Sequence, residues 1–153
     1  MINLMTQNAP LYQFHAAIHP LPAGWKVTGK SSLRGLEVET IGVPSAAEAS
    51  LFPTTFESLF AEIGSWPRFF CEPDGSFVGV SGDDEPAPWQ IDGQLFDGGQ
   101  GMLYIELRGN CTPALLDRLL SALGWPATEV VFQLLHEGVL LREAEFRRVA
   151  SRS

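Results

Sequence analysis

From Trp89 to Arg108 apolar and polar side chains alternate on both sides of one glycine-rich turn, and this pattern constrains the fold more than any other feature of the chain. Trp89, Ile91, Gly93 and Leu95 alternate with Gln90, Asp92 and Gln94; beyond Asp97-Gly98-Gly99-Gln100-Gly101, Leu103, Ile105 and Leu107 alternate with Met102, Tyr104 and Glu106. Successive side chains of a strand point to opposite faces, so two such runs joined by a turn predict a hairpin. Another hairpin is expected just upstream. There the runs Arg68 to Glu72 and Ser76 to Ser81 flank Pro73-Asp74-Gly75, where Asp-Gly supplies the left-handed turn residue.

The first 45 residues read as extended segments, Leu11 to Ile18, Trp25 to Thr28 and Leu33 to Ile41, separated by Pro20, Pro22, Gly24, Gly29 and Gly35. In the third, Leu36, Val38 and Thr40 alternate with Glu37, Glu39 and Ile41, as in a half-solvated strand. Ser45 to Ser50 suits a short helical turn or a linker. Near the C-terminal end, Glu129 to Leu135 is apolar and β-branched enough for a strand, and His136-Glu137-Gly138 reads as a turn. Val139 to Leu141 then precedes a helix over about Arg142 to Ala150.

Helix signals are fewer and sharper. Thr54 with Glu57 forms a capping-box pattern, followed by Phe56, Leu59, Phe60 and Ile63 at helical spacing up to Gly64. Thr112 is placed to cap a further helix, with Pro113 at its first position and Leu115, Leu116, Leu119, Leu120 and Leu123 along one stripe. Gly124 suits a left-handed C-cap, which brings Trp125 over Leu120, and Pro126 stops continuation. These elements predict a two-layer α+β fold: a mainly antiparallel sheet built from hairpins, with two or three helices on one face. Thr54 to Val80 and Thr112 to Leu141 share an order of helix, Gly, Trp-Pro, strand and acid-Gly turn, which admits two helix-plus-hairpin units paired about a pseudo-twofold axis. The plainer reading is that Gly, Trp and Pro make good helix stops in any such fold.

With 153 residues, 45% of them hydrophobic and 18% charged, the chain suits one α+β domain over 1–153, with 1–10 and 151–153 frayed. Its formal charge of −8 opposes nucleic acid as a partner. No basic start leads into an apolar run, and no stretch approaches the roughly 18 apolar residues of a membrane span, so a cytoplasmic protein without membrane attachment is expected. Between Arg68 and Arg108 there is no Lys or Arg, whereas Glu72, Asp74, Asp83, Asp84, Glu85, Asp92, Asp97 and Glu106 all fall in that gap. Arg142, Arg147, Arg148 and Arg152 crowd the other end. The two regions are candidates to pair within one molecule or between copies; ordinary solubility is the simpler account.

Candidate chemistry is sparse. Cys111 directly precedes a helix start, where backbone N–H groups favour a thiolate, and His136 with Glu106 or Glu137 is the one base-and-orienter set available to it. Cys71 and Cys111 equally suit buried, inert thiols. His15 and His19, four apart, share a face in a helix or a strand, yet the second close pair of ligands that a structural zinc site needs is missing. Asp83-Asp84-Glu85, Asp92 and Asp97 lack the spacing of a calcium loop, and Gly98, Gly99 and Gly101 lie between strands with no following Lys, unlike a phosphate loop. No metal or cofactor is expected. Trp66 and Trp125 stand beside prolines at helix exits, where aromatic anchors for partners are often partly exposed.

The leading expectation is therefore a non-catalytic protein-interaction module that meets a protein partner, or another copy of itself, through Trp66, Trp125 and the acidic Asp83, Asp84 and Glu85. One form of it has the acids imitating a polyanion to block a basic partner. The alternatives are a small-molecule-binding domain and a small enzyme using Cys111 with His136.

Overall fold

The computed structural model describes residues 11–44 and 50–152. Residues 45–49, within the expected turn or linker, lie outside them, as do residues 1–10 and 153. The strands are β1 (Tyr12–Pro20), β2 (Lys26–Leu33), β3 (Leu36–Gly42), β4 (Phe69–Cys71), β5 (Ser76–Val80), β6 (Gln90–Asp97), β7 (Met102–Cys111), β8 (Val130–Leu134) and β9 (Val139–Arg142). The helices are α1 (Phe56–Gly64), α2 (Pro113–Leu123) and α3 (Glu143–Ala150). All strands join one open antiparallel sheet in the order β2-β3-β9-β8-β1-β7-β6-β5-β4. The α+β class, the antiparallel sheet and the helices on one face are as the sequence predicts.

The expected hairpins form, β4 with β5 around Gly75 and β6 with β7 around Gly99. The caps of α2 are also as expected: the Thr112 hydroxyl accepts from the Leu115 N–H at 3.1 Å, Gly124 is left-handed at φ 110°, and the Trp125 N–H donates to the Leu120 carbonyl. At α1 the cap moves by one residue. Thr55, not Thr54, accepts from Ser58 N–H at 3.1 Å, because the Thr54 carbonyl is already bound by Met102 N–H of β7.

Near the start of the chain the segmentation differs more. β2 runs through Gly29 with a register shift between Val27 and Gly29, a bulge instead of a break. The reversal falls inside the expected Leu33–Ile41 segment, at Arg34 (φ 51°) and Gly35 (φ 78°), both left-handed as a type I′ hairpin turn requires. Both helix-plus-hairpin units exist, but their hairpins do not adjoin. β1, β7 and β6 separate β8–β9 from β4–β5.

The core is organised in cross-strand rows on the helix-covered face. One row runs Phe69, Gly79, Ile91, Gly109, Phe14 from β4 to β1, and the next runs Cys71, Phe77, Gly93, Leu107, Ala16, Leu134 into β8. Gly79 faces the Phe69 ring and Gly93 the Phe77 ring so closely that an added Cβ would overlap each ring. The rings lie down on the strand beside them, and α1 closes over the layer with buried Leu59 and Ile63. On the other side α3 sets Phe146 face to face with Phe132 at 3.8 Å and edge-on to Phe14 at 4.9 Å.

Gly93→Ala should therefore destabilise the fold by about 1–3 kcal/mol through overpacking. Gly29→Ala, whose Cβ would meet only an ordinary contact with Thr40 at 3.7 Å, should be neutral or slightly stabilising. Urea unfolding of the two variants checks this; equal stability would show that the Phe77 ring has room to lift.

Candidate functional site

Because strand residues alternate, the same ladders define rows on the opposite face, which none of the described helices covers. One row crosses β4, β5, β6, β7 and β1 as Phe70, Val78, Asp92, Arg108, His15. The next runs Ser76, Gln94, Glu106, Ala17, Gln133, Leu140. Along a third, Phe96 stacks on Tyr104 at 4.2 Å and Tyr104 on His19 at 4.7 Å. This face carries most of the polar side-chain chemistry of the sheet.

Two histidines are tied down within it. His15 Nε2 meets Glu106 Oε2 at 2.7 Å, each side chain about one third exposed. His19 Nε2 meets the Gln133 amide oxygen at 3.0 Å, and burial lowers its pKa, opposed by that hydrogen bond. Their shared strand face is thus as the spacing implies. Among the described residues, no three of His, Cys, Asp and Glu gather into a metal-holding group.

Cys111 and His136 occupy unrelated surroundings. Cys111, opposite Tyr12 on β7, is fully buried, and desolvation pushes its thiol up to about 12 despite the Arg147 charge nearby. A helix start alone does not outweigh an apolar enclosure, and a nucleophile needs the reverse shift. His136 is exposed on the turn between β8 and β9, and no hydrogen bond joins it to Cys111 among the described residues. The Cys111 thiol is enclosed in apolar packing.

Trp66 corrects the expectation of an exposed corner. It is 4% exposed, edge-on to Phe69 at 5.3 Å and capped by the Arg118 guanidinium at 4.4 Å. The Pro that follows it turns the chain away while the indole turns inward. Trp125 is half-buried, with Arg147 5.6 Å from its ring, and lines a cleft with Glu39, Pro126 and Arg142. Asp83 and Asp84 are exposed and Glu85 half-buried, on a loop closed by reciprocal bonds between Ser81 and Trp89.

The exposed aromatic is Phe70, at 62% the most exposed large hydrophobic among the described residues. Strand alternation held the signal: with Phe69 inward, Phe70 has to face outward.

The charge segregation acquires a geometry. Arg147 reaches Asp117, Glu143 and the Tyr12 hydroxyl; partial burial works against its charge, yet these partners outweigh burial and raise its pKa. Arg142 pairs with Glu129 at 3.1 Å and stacks over Trp25, and Arg148 pairs with Glu145. Arg142, Arg147 and Arg148 thus find acidic partners. Of the eight acids between Arg68 and Arg108, Glu106 alone meets a basic side chain at ion-pair distance among the described residues, the imidazole of His15. Asp74, held below the usual carboxylate range by the Ser76 hydroxyl and N–H, spends its charge on its own turn.

No protein-family model matches this chain, and no curated protein or solved structure matches it either. No helix of the described residues is long and apolar enough to cross a membrane.

A thiol reagent at pH 8 should label Cys71, which is half-buried, before Cys111, which should react only on unfolding. Prompt labelling of Cys111 in the native chain, read by mass spectrometry, would return the thiol to consideration.

Proposed function

We propose that the chain is a non-catalytic protein-interaction module that receives a basic protein segment on the helix-free face, at its β4–β6 end. The observation that carries this reading is Phe70, exposed at the edge of the sheet beside half-buried Val78 and in line with Asp92. An aromatic ring next to partly covered apolar surface is the usual anchor of an interface. Asp92 in the same cross-strand row, and Asp83 and Asp84 on the loop that leads into β6, make no ion pair among the described residues and favour lysine and arginine in the partner. The acidic loop of the leading expectation keeps its place in this reading, and Phe70 replaces Trp66 as the anchor.

A second reading, a small-molecule site, draws support from a mainly apolar cleft of about 320 Å³ at the far end of β1. Pro20, Pro22, Val131 and Leu140 line it, with His19, Ser50 and Gln133 as its polar residues.

The interaction reading is tested by comparing affinity capture on wild-type chain, Phe70→Ser and Asp92→Asn. The expected partner is rich in Lys and Arg and binds Phe70→Ser roughly tenfold or more weakly, as loss of an anchor implies. Its binding to wild type falls as salt rises from about 50 to 300 mM. A partner held equally by wild type and Phe70→Ser sinks the reading. Self-association of the wild type that Phe70→Ser abolishes in sedimentation assigns the face to a second copy instead.

A further inference from the structure

At the end of the sheet where β1 begins and β7 finishes, a cleft of about 400 Å³ opens among Gln13, His15, Arg34, Arg108 and His136. It is continuous with one of about 310 Å³, since His15 and Arg108 line both. The chain carries −8 overall, yet here two arginines and two histidines converge from four separate segments: β1, the β2–β3 turn, β7 and the β8–β9 turn.

Neither arginine has a carboxylate partner among the described residues. Arg34 donates from Nη1 to the Val149 and Arg152 carbonyls at 3.1 and 2.7 Å, bonds that orient the guanidinium without neutralising it and leave its other donors free. Its backbone sits at φ 51°, a left-handed position where Asn or Gly is the ordinary occupant. Arg108 is exposed and unbonded, although Asp92 stands opposite it in register. The other carboxylates nearby are Glu106, engaged by His15 at 2.7 Å, and Glu137, exposed on the turn.

We propose that this cleft binds a small oxyanion, the carboxylate or phosphate group of a ligand, between the guanidinium groups of Arg34 and Arg108, with His136 as a flanking donor and His15, whose Nε2 is engaged by Glu106, beside it. Planar guanidinium forks match both groups bidentately. The surrounding negative field repels an extended polyanion, so the site suits one or two charges presented on a small molecule. It stands at the other end of the bare face from Phe70 and does not depend on the protein-interaction reading.

The test titrates inorganic phosphate, and separately acetate, into the full chain at fixed pH and ionic strength, following the imidazole resonances of all three histidines by NMR. Saturating shifts of His15 and His136 with Kd on the order of 1–10 mM are expected, with His19 unmoved. Saturation by phosphate alone identifies a phosphate-bearing ligand, and comparable saturation by acetate a carboxylate; either supports the site. Arg108→Gln should weaken binding roughly tenfold and Arg108→Lys by less, because lysine keeps the charge and loses the fork. Arg118→Gln, remote over Trp66, should leave Kd unchanged. Substitution at exposed Arg108 should move Tm by no more than about 2 °C, which separates lost binding from lost fold. Non-saturating shifts with both anions, or a Kd indifferent to Arg108→Gln, overturn the proposal.

Discussion

The structure depends on aromatic rings lying against glycines across neighbouring strands. Phe69 over Gly79 and Phe77 over Gly93 fill the layer between sheet and α1 without standing upright, so the short helix can close over strands that carry large rings. Glycine in a strand costs backbone entropy and offers no side chain to pack. Here the ring of the partner strand supplies the missing contact, and the rows continue through Leu107 and Ala16 into the centre of the sheet.

With the apolar layer completed on one side, α1, α2 and α3 all pack there, and the other side keeps apolar groups such as Phe70 at its surface. The bare face stays half-polar, with Ala17 and Val131 as its buried floor and histidines, acids and amides above. The Arg147 hub reinforces the asymmetry. By joining α2 through Asp117, α3 through Glu143 and β1 through Tyr12, it consumes C-terminal charge where the helices meet the sheet, and among the described residues no arginine is paired with a central acid. Acid at one end of the bare face and arginine at the other result from where the fold spends its cations.

Much of this was legible in the sequence because its signals were local. Thr112, Pro113 and Gly124 mark α2 through backbone chemistry that needs no distant partner, and Asp74-Gly75 does the same for the β4–β5 turn. Arg34 misled because an arginine in a left-handed turn violates local preference, and Gly29 because a bulge and a break share one residue type. Burial of Trp66 under Arg118 depends on two segments meeting in space, as does the pairing of His15 with Glu106, and no spacing along the chain records either. The sealing of Cys111 is of the same kind: proximity to a helix start could be read, but not the enclosure that decides the state of the thiol.

The position of β1 bears on how the chain assembles. The first of the nine described strands lies in the middle of the sheet, hydrogen-bonded on one side to β7 and on the other to β8. His15 meets Glu106 across 91 residues and His19 meets Gln133 across 114. Both seams that flank β1 are thus closed by segments far along the chain, and the entropy of those loops has to be overcome before either seam gains anything from pairing. Until β7 and β8 have been synthesised, β1 presents two unpaired edges and the apolar Phe14-x-Ala16-x-Ile18 face, a strand in need of shelter on the ribosome, while the β3–β9 seam waits still longer for its partner.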